Sequence, residues 1–317
     1  MADAEHYVRE DVRAFLDMLE AMGGDGIEVV GAQAGREQMK AMKHLAEADA
    51  PDLAIKRDLA CPGPAGDIPL RLYDVRDTRT RTPVVVFYHG GGFVIGDLDT
   101  HDHLCAEIAH RLDLPVVAVD YRLAPEHPFP AAPDDCEAAT RWVAGSPDGL
   151  GYDVAGLVLT GDSAGGNLAI VTTNQLMNEP ADVPVLVQAP IYPVATETDE
   201  HDSFSLFGEG FLLSAAGMNW FHEQYAGDTR DPRHTPILGD CSRTPPTVIC
   251  TAGLDPLRDS GREYAAHLIQ LGVEVSYFEF PGQIHGFVAL RKAIPSGQAD
   301  LEAFLGAIRI KLDRIAA

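Results

Sequence analysis

The stretch Leu157-Val158-Leu159-Thr160-Gly161-Asp162-Ser163-Ala164-Gly165-Gly166 decides how this chain is read. Its first three residues form a continuous apolar run of the kind a strand shows when both its faces are covered. Its last residues open a helical segment that runs to about Met177. Between the two lies a Gly-x-Ser-x-Gly spacing, with small residues where chain must pass close to chain. A turn this tight holds Ser163 in a strained backbone conformation and exposes its hydroxyl. The helix that follows points its N-terminus at the serine, where negative charge is favoured. The spacing alone recurs by chance, and the strand–turn–helix context is what makes it a nucleophile elbow.

Upstream, the run Val84-Val85-Val86-Phe87-Tyr88 leads straight into His89-Gly90-Gly91-Gly92-Phe93. Three consecutive glycines leave backbone N–H groups unshielded, so that a substrate oxygen can approach them. Acyl transfer develops charge on such an oxygen, and Gly91 and Gly92, with the N–H of Ala164, make an oxyanion hole. A phosphate-binding loop would carry Gly-Lys-Ser/Thr, which this loop lacks. Downstream, a serine nucleophile needs a base, and the base needs an orienting acid. Asp255 follows the strand Thr247–Thr251, and His285 follows the last strand in Pro281-Gly282-Gln283-Ile284-His285-Gly286. Of twelve histidines, only His285 combines a late position, a strand end and a glycine-flanked turn.

The same alternation continues along the chain. Ile68, Leu70 and Leu72 alternate with polar neighbours as in a half-exposed antiparallel strand. Val116–Val119, Val185–Val187, Val248–Cys250 and Val273–Phe280 supply further strands, and helices are expected over about 101–112, 134–144, 164–178 and 259–271. This is an α/β chain with a mostly parallel central sheet and helices on both faces. A first helix is marked by Val8, Val12, Phe15, Leu16, Leu19 and Met22, and stopped by Gly23-Gly24. Residues 195–225 interrupt the alternation with an aromatic-rich helical segment after a strand's carboxyl end. That is where open α/β sheets bind ligands, so the segment reads as a lid joined by the N-terminal helix; a helix pair packed as ordinary core is the alternative. Phe93, Phe211, Leu213 and Phe287 are the expected apolar walls of the substrate pocket.

Composition narrows the partners. With 24 basic and 48 acidic residues the formal net charge is −24, a surface that repels phosphate backbones and anionic lipid. Nucleic acid and membrane are therefore not expected partners; a small molecule is. Excess acid keeps the chain in solution and suits a salty medium. Met1–Glu5 lacks the positive flank and apolar follow-on of a secretory signal, and no apolar run is long enough to span a bilayer. The five scattered cysteines form no paired spacing, and the expected setting is cytoplasmic with reduced thiols. His101-Asp102-His103 has no further ligand cluster beside it, so no metal is expected. The last strand, as a sheet edge, could pair with a second copy and make a homodimer.

Taken together these motifs resemble the hormone-sensitive-lipase-like family of α/β-hydrolases, in its bacterial esterase branch. The run Asp120-Tyr121-Arg122-Leu123-Ala124-Pro125-Glu126-His127-Pro128-Phe129-Pro130-Ala131 and the run Asp255–Asp259 are typical of it. The resemblance covers roughly residues 50–317. It implies an α/β-hydrolase fold with a helical cap: residues 1–50 and 195–225 form the cap, and 51–194 with 226–317 the catalytic domain. It further implies hydrolysis of short- to medium-chain acyl esters without a cofactor, by the triad Ser163, Asp255 and His285 in that chain order. His89 would hold the glycine loop, and Asp162 would be structural. A binding protein on the same scaffold is set against by the presence of His285. An amidase, a deacetylase or a dehydratase using the same pocket stays open.

Overall fold

The computed structural model describes residues 6–316; Met1–Glu5, read above for a secretory signal, and Ala317 lie outside them. The chain begins with α1 (Glu10–Met22), α2 (Ile27–Ala46), β1 (Ile55–Gly63), β2 (Gly66–Asp74), β3 (Arg81–Tyr88) and α3 (Asp102–Leu112). It continues with β4 (Val116–Val119), α4 (Ala131–Ala144), β5 (Asp153–Asp162), α5 (Ala164–Asn178) and β6 (Val185–Ile191). Then come α6 (Asp202–Phe207), α7 (Ala215–Tyr225), β7 (Thr247–Leu254), α8 (Arg258–Gln270), β8 (Val275–Ile284) and α9 (Ser296–Ala316). The strands form one sheet in the order β1-β2-β4-β3-β5-β6-β7-β8, in which β2 runs antiparallel to β1 and β4 and the rest pair parallel.

Strand alternation explains why the sheet is covered on both sides. Along β3, Val84, Val86 and Tyr88 enter one core, while Val85 and Phe87 enter the other. Val117 and Val119 of β4 follow the first set, and Val116 and Ala118 the second. Helices α4 and α5 cover the first face, and α3 and α9 the second. Each of these valines is fully buried, which contributes on the order of 1.5–3 kcal/mol apiece. Continuous β-branched runs are thus the sequence form of a two-faced strand.

Three elements are additional to the sequence reading. Helix α2 has a kink at Gly31 (φ 79°), which breaks the apolar periodicity. Strand β1 is largely exposed at the sheet's edge, with Cys61 its one buried residue, and pairs with β2 from Ile55↔Asp74 to Gly63↔Gly66. Helix α9 closes the second face through Leu301, Phe304, Leu305 and Ile308. The opposite edge is β8, as expected, though it starts at Val275 and runs on to Ile284.

The helices outside the sheet layers sit over the carboxyl ends of its strands. Val12 and Phe15 of α1 pack with Phe207 of α6 and with Leu254 and Ile284, the last residues of β7 and β8. Helix α2 lies on α7 so closely that a Cβ at Gly217 would be 3.2 Å from Ile27. All five cysteines are buried and free. No helix among the described residues is long and apolar enough to cross a membrane.

Candidate active site

Strands β3, β5, β7 and β8 end on one edge of the sheet and deliver His89, Ser163, Asp255 and His285 there. Ser163 occupies the turn between β5 and α5 with φ 57° and ψ −117°, a region that L-residues visit only under constraint. The constraint comes from crowding. A Cβ at Gly165 would collide with the Tyr88 carbonyl and sit 2.8 Å from that of His89. Glycine therefore lets α5 start against the end of β3, and this brings the glycine loop beside the serine.

His285 Nε2 lies 2.8 Å from Ser163 Oγ, and its Nδ1 lies 2.7 Å from Asp255 Oδ2. Asp255 is fully buried, and its other oxygen accepts the Leu257 N–H at 2.8 Å. Tyr192, held at φ 32°, backs the imidazole with ring centroids 4.6 Å apart. Ser163 itself is only half-buried, so the far end of this line faces the solvent side. A hydroxyl bonded to an imidazole that is bonded to a buried carboxylate can lose its proton to the ring as it attacks a carbonyl.

Gly91 (φ 118°) and Gly92 (φ 60°) turn the loop after β3, and the N–H groups of Gly91, Gly92 and Ala164 find no acceptor among the described residues. The loop is tied at several points. Gly90 N–H donates to Asp162 Oδ1 at 2.8 Å. The His89 ring stacks on Tyr121 at 4.3 Å, its Nδ1 lies 2.8 Å from the Gly90 carbonyl, and the Tyr121 hydroxyl donates to the His89 carbonyl at 2.7 Å. Burial, and then the neighbouring His101, pushes the His89 pKa down to about 4, so the ring is neutral. Burial alone would raise the Asp162 pKa, but His101 and the Gly90 N–H hold it below the ordinary carboxylate value.

The residues expected as pocket walls take different places. Phe287 is fully buried in the core between Tyr192 and Phe280, where it packs under the sheet's end. Phe93 turns away at φ 64° and stacks on Tyr225 at 3.9 Å, again as packing. Phe211 leans edge-on against Phe207 in the cluster under α1, and Leu213 is half-buried beside it in the chain. Two other side chains stand nearer the chemistry. The Phe221 ring of α7 occupies the space that a Cβ on Gly92 would need, and Leu212 lies 3.8 Å from the Cβ position of Gly286, next to His285. Both belong to the aromatic-rich segment, but nothing in residue type says which way each points.

Charged residues of the typical runs serve as ties. The Arg122 N–H and guanidinium both donate to the buried Asp135. Arg36 of α2 reaches Glu126 and the carbonyls of Val94 and Ala124, binding α2 to the chain around the glycine loop. Asp259 accepts the Ser203 N–H at the start of α6. His101, Asp102 and His103 diverge, toward Asp162, toward Lys56 and Tyr73, and toward the Ala48 carbonyl.

Comparison with known proteins adds a second line. Residues 85–289 match the family model Abhydrolase_3, described as alpha/beta hydrolase fold. The carboxylic ester hydrolase LipN of Mycobacterium tuberculosis is 41% identical over 81% of this chain and 71% of its own. The ethyl acetate hydrolase of Pseudomonas putida is 36% identical over 94% of this chain and 98% of its own. Among solved structures, an ester hydrolase from the metagenome of Lake Arreo, in complex with a bipyridine phosphonate derivative, superposes with a TM-score of 0.91 at 36% identity. It covers 97% of this chain and 100% of that one.

Proposed function

We propose that this chain, which belongs to the hormone-sensitive-lipase-like family of α/β-hydrolases, is a carboxylesterase that uses Ser163, His285 and Asp255 as a catalytic triad. The observation that carries the reading is the line of two hydrogen bonds, 2.8 Å from Ser163 Oγ to His285 Nε2 and 2.7 Å from His285 Nδ1 to Asp255. Ser163 attacks the ester carbonyl while His285 takes its proton, and Asp255 holds the imidazole and stabilises its charge. The N–H groups of Gly91, Gly92 and Ala164 receive the oxyanion. His285 gives its proton to the departing alcohol, then takes one from the water that attacks the acyl carbonyl and passes it to Ser163 Oγ as the acid leaves.

The described part of the N-terminal segment, residues 6–50, and residues 195–225 act as the cap over this site. The position of Phe221 against Gly92, and of Leu212 beside Gly286, supports a short apolar pocket and hence short- to medium-chain acyl groups. Hydrolysis of p-nitrophenyl esters from acetyl to palmitoyl tests this. The expected result is a rate that peaks at short chains and falls by several orders of magnitude in Ser163→Ala, with the fold kept. Retention of most activity in that variant contradicts the triad.

A further inference from the structure

His101 precedes α3, and its ring lies inside the protein with 2% of its surface exposed. Its two nitrogens face two oxygens. Nδ1 lies 3.0 Å from Thr100 Oγ1. The Thr100 hydroxyl proton is already given to the Asp97 carbonyl at 2.8 Å, and Asp97 N–H donates to the same Oγ1 at 2.9 Å. With its proton on that carbonyl, the shorter of the two contacts, Thr100 accepts from the ring, which places a proton on Nδ1. Nε2 lies 3.2 Å from Asp162 Oδ1, at ion-pair distance though without hydrogen-bond geometry, and a buried carboxylate this near favours a second proton on the ring. Both contacts favour the doubly protonated ring, the imidazolium. His89, whose ring centroid is 5.6 Å away, stays neutral: its Nδ1 serves the Gly90 carbonyl and its Nε2 has no partner among the described residues. Burial works against the His101 charge, yet Asp162, Glu47 and Asp97 together hold its pKa above the ordinary histidine value.

The same Oδ1 of Asp162 accepts the Gly90 N–H. One oxygen thus joins a buried cation to the loop that carries Gly91 and Gly92. The contact has no slack, because a Cβ at Gly90 would lie 2.5 Å from Asp162 Oδ2 and 2.9 Å from its carbonyl oxygen. We propose that His101 is a positioning residue whose imidazolium holds the Asp162 carboxylate, and through it the Gly90–Gly92 loop, in the shape that receives the oxyanion. This rests on the esterase reading above. His101 touches no substrate, so its removal costs transition-state stabilisation and leaves ground-state binding alone. Losing one oxyanion donor outright costs about 10²–10³ in kcat, and displacing the loop should cost part of that, about 10–100-fold.

The test joins kinetics to a direct reading of charge. Wild type, His101→Gln and Ser163→Ala are assayed on p-nitrophenyl butyrate, and the histidine ring nitrogens are followed by 15N NMR in labelled wild type at neutral pH. The expected results are a doubly protonated His101 and a folded His101→Gln with kcat down about 10–100-fold, KM within about twofold and a matching loss of affinity for a trifluoromethyl ketone. A neutral His101, or a folded variant with kcat close to wild type, overturns the proposal. If Ser163→Ala stays active, the esterase reading fails instead. Where His101→Gln does not fold, Asp162→Asn keeps an acceptor for Gly90 and removes the charge. It should then lose the second His101 proton and lower kcat alone, and an unchanged kcat in this variant overturns the proposal equally.

Discussion

Replacing Asp255 with asparagine changes almost nothing but the direction of hydrogen bonding. Asp255 is fully buried, with Oδ1 accepting the Leu257 N–H at 2.8 Å and Oδ2 facing His285 Nδ1 at 2.7 Å. An amide has one accepting end and one donating end. The Leu257 N–H claims the oxygen, because the reverse orientation would set an NH₂ against an N–H. The NH₂ of the asparagine therefore faces His285, and Nδ1 must be the bare nitrogen. The ring proton then sits on Nε2, 2.8 Å from Ser163 Oγ, where the unprotonated base is needed. The corresponding change in a serine-protease triad lowers kcat about 10⁴-fold with the geometry intact, which at about 1.36 kcal/mol per decade is roughly 5.4 kcal/mol of barrier. The assay is kcat and KM on p-nitrophenyl butyrate, with the melting temperature measured alongside. The expected result is a loss of about four decades in kcat with KM and fold retained. A folded Asp255→Asn within about tenfold of wild type refutes the reasoning.

Phe221→Ala should open the space above Gly92; each methylene newly buried there contributes about 0.8 kcal/mol, so the kcat/KM of octanoyl over butyryl esters should rise at least about tenfold. An unchanged chain-length profile speaks against Phe221 as a limit of the pocket. Glu47 is buried, and desolvation outweighs the nearby His101, Arg291 and Lys43 charges to push its carboxyl up to about 7. Folding thus favours its protonated form, and stability is lost as pH rises from the ordinary value near 4.5 to about 7. Glu47→Gln should therefore stabilise the protein by on the order of 3 kcal/mol at pH 8 and little at pH 4.5. Thermal melts at both pH values check this, and an equal effect at both contradicts it. Arg122→Met leaves Asp135 buried without its cation and should cost about 3 kcal/mol, read as a lower urea midpoint.

What the residues disclose follows from how local the physics is. Ser163, its flanking glycines, and Asp255 and His285 are legible because strand ends of a parallel sheet share one edge, so position in the alternation already says who can meet. The β3, β4 and β5 runs are legible because burial on both faces demands continuous apolar sequence. Helix α2 is not, since Gly31 breaks its period and its ties, such as Arg36 to Glu126, join residues 90 apart in sequence. The pocket walls are hidden for a different reason. Phe93 and Phe287 are as apolar as Phe221, but their burial against Tyr225 and against Tyr192 and Phe280 is settled only by residues distant in the chain. His101 reads as half of a metal-like doublet, and its task depends on Thr100, Asp97 and Asp162 converging only in the fold.

The central claim is that Ser163 carries the acyl group. The measurement that tests it most directly is reaction with a p-nitrophenyl alkylphosphonate, followed by intact-mass and peptide mass spectrometry. The account predicts one phosphonyl group per chain, on the peptide containing Ser163, with activity lost in proportion and no labelling of Ser163→Ala. Full inactivation with the label on another residue, or an active enzyme that takes up no label, would contradict it.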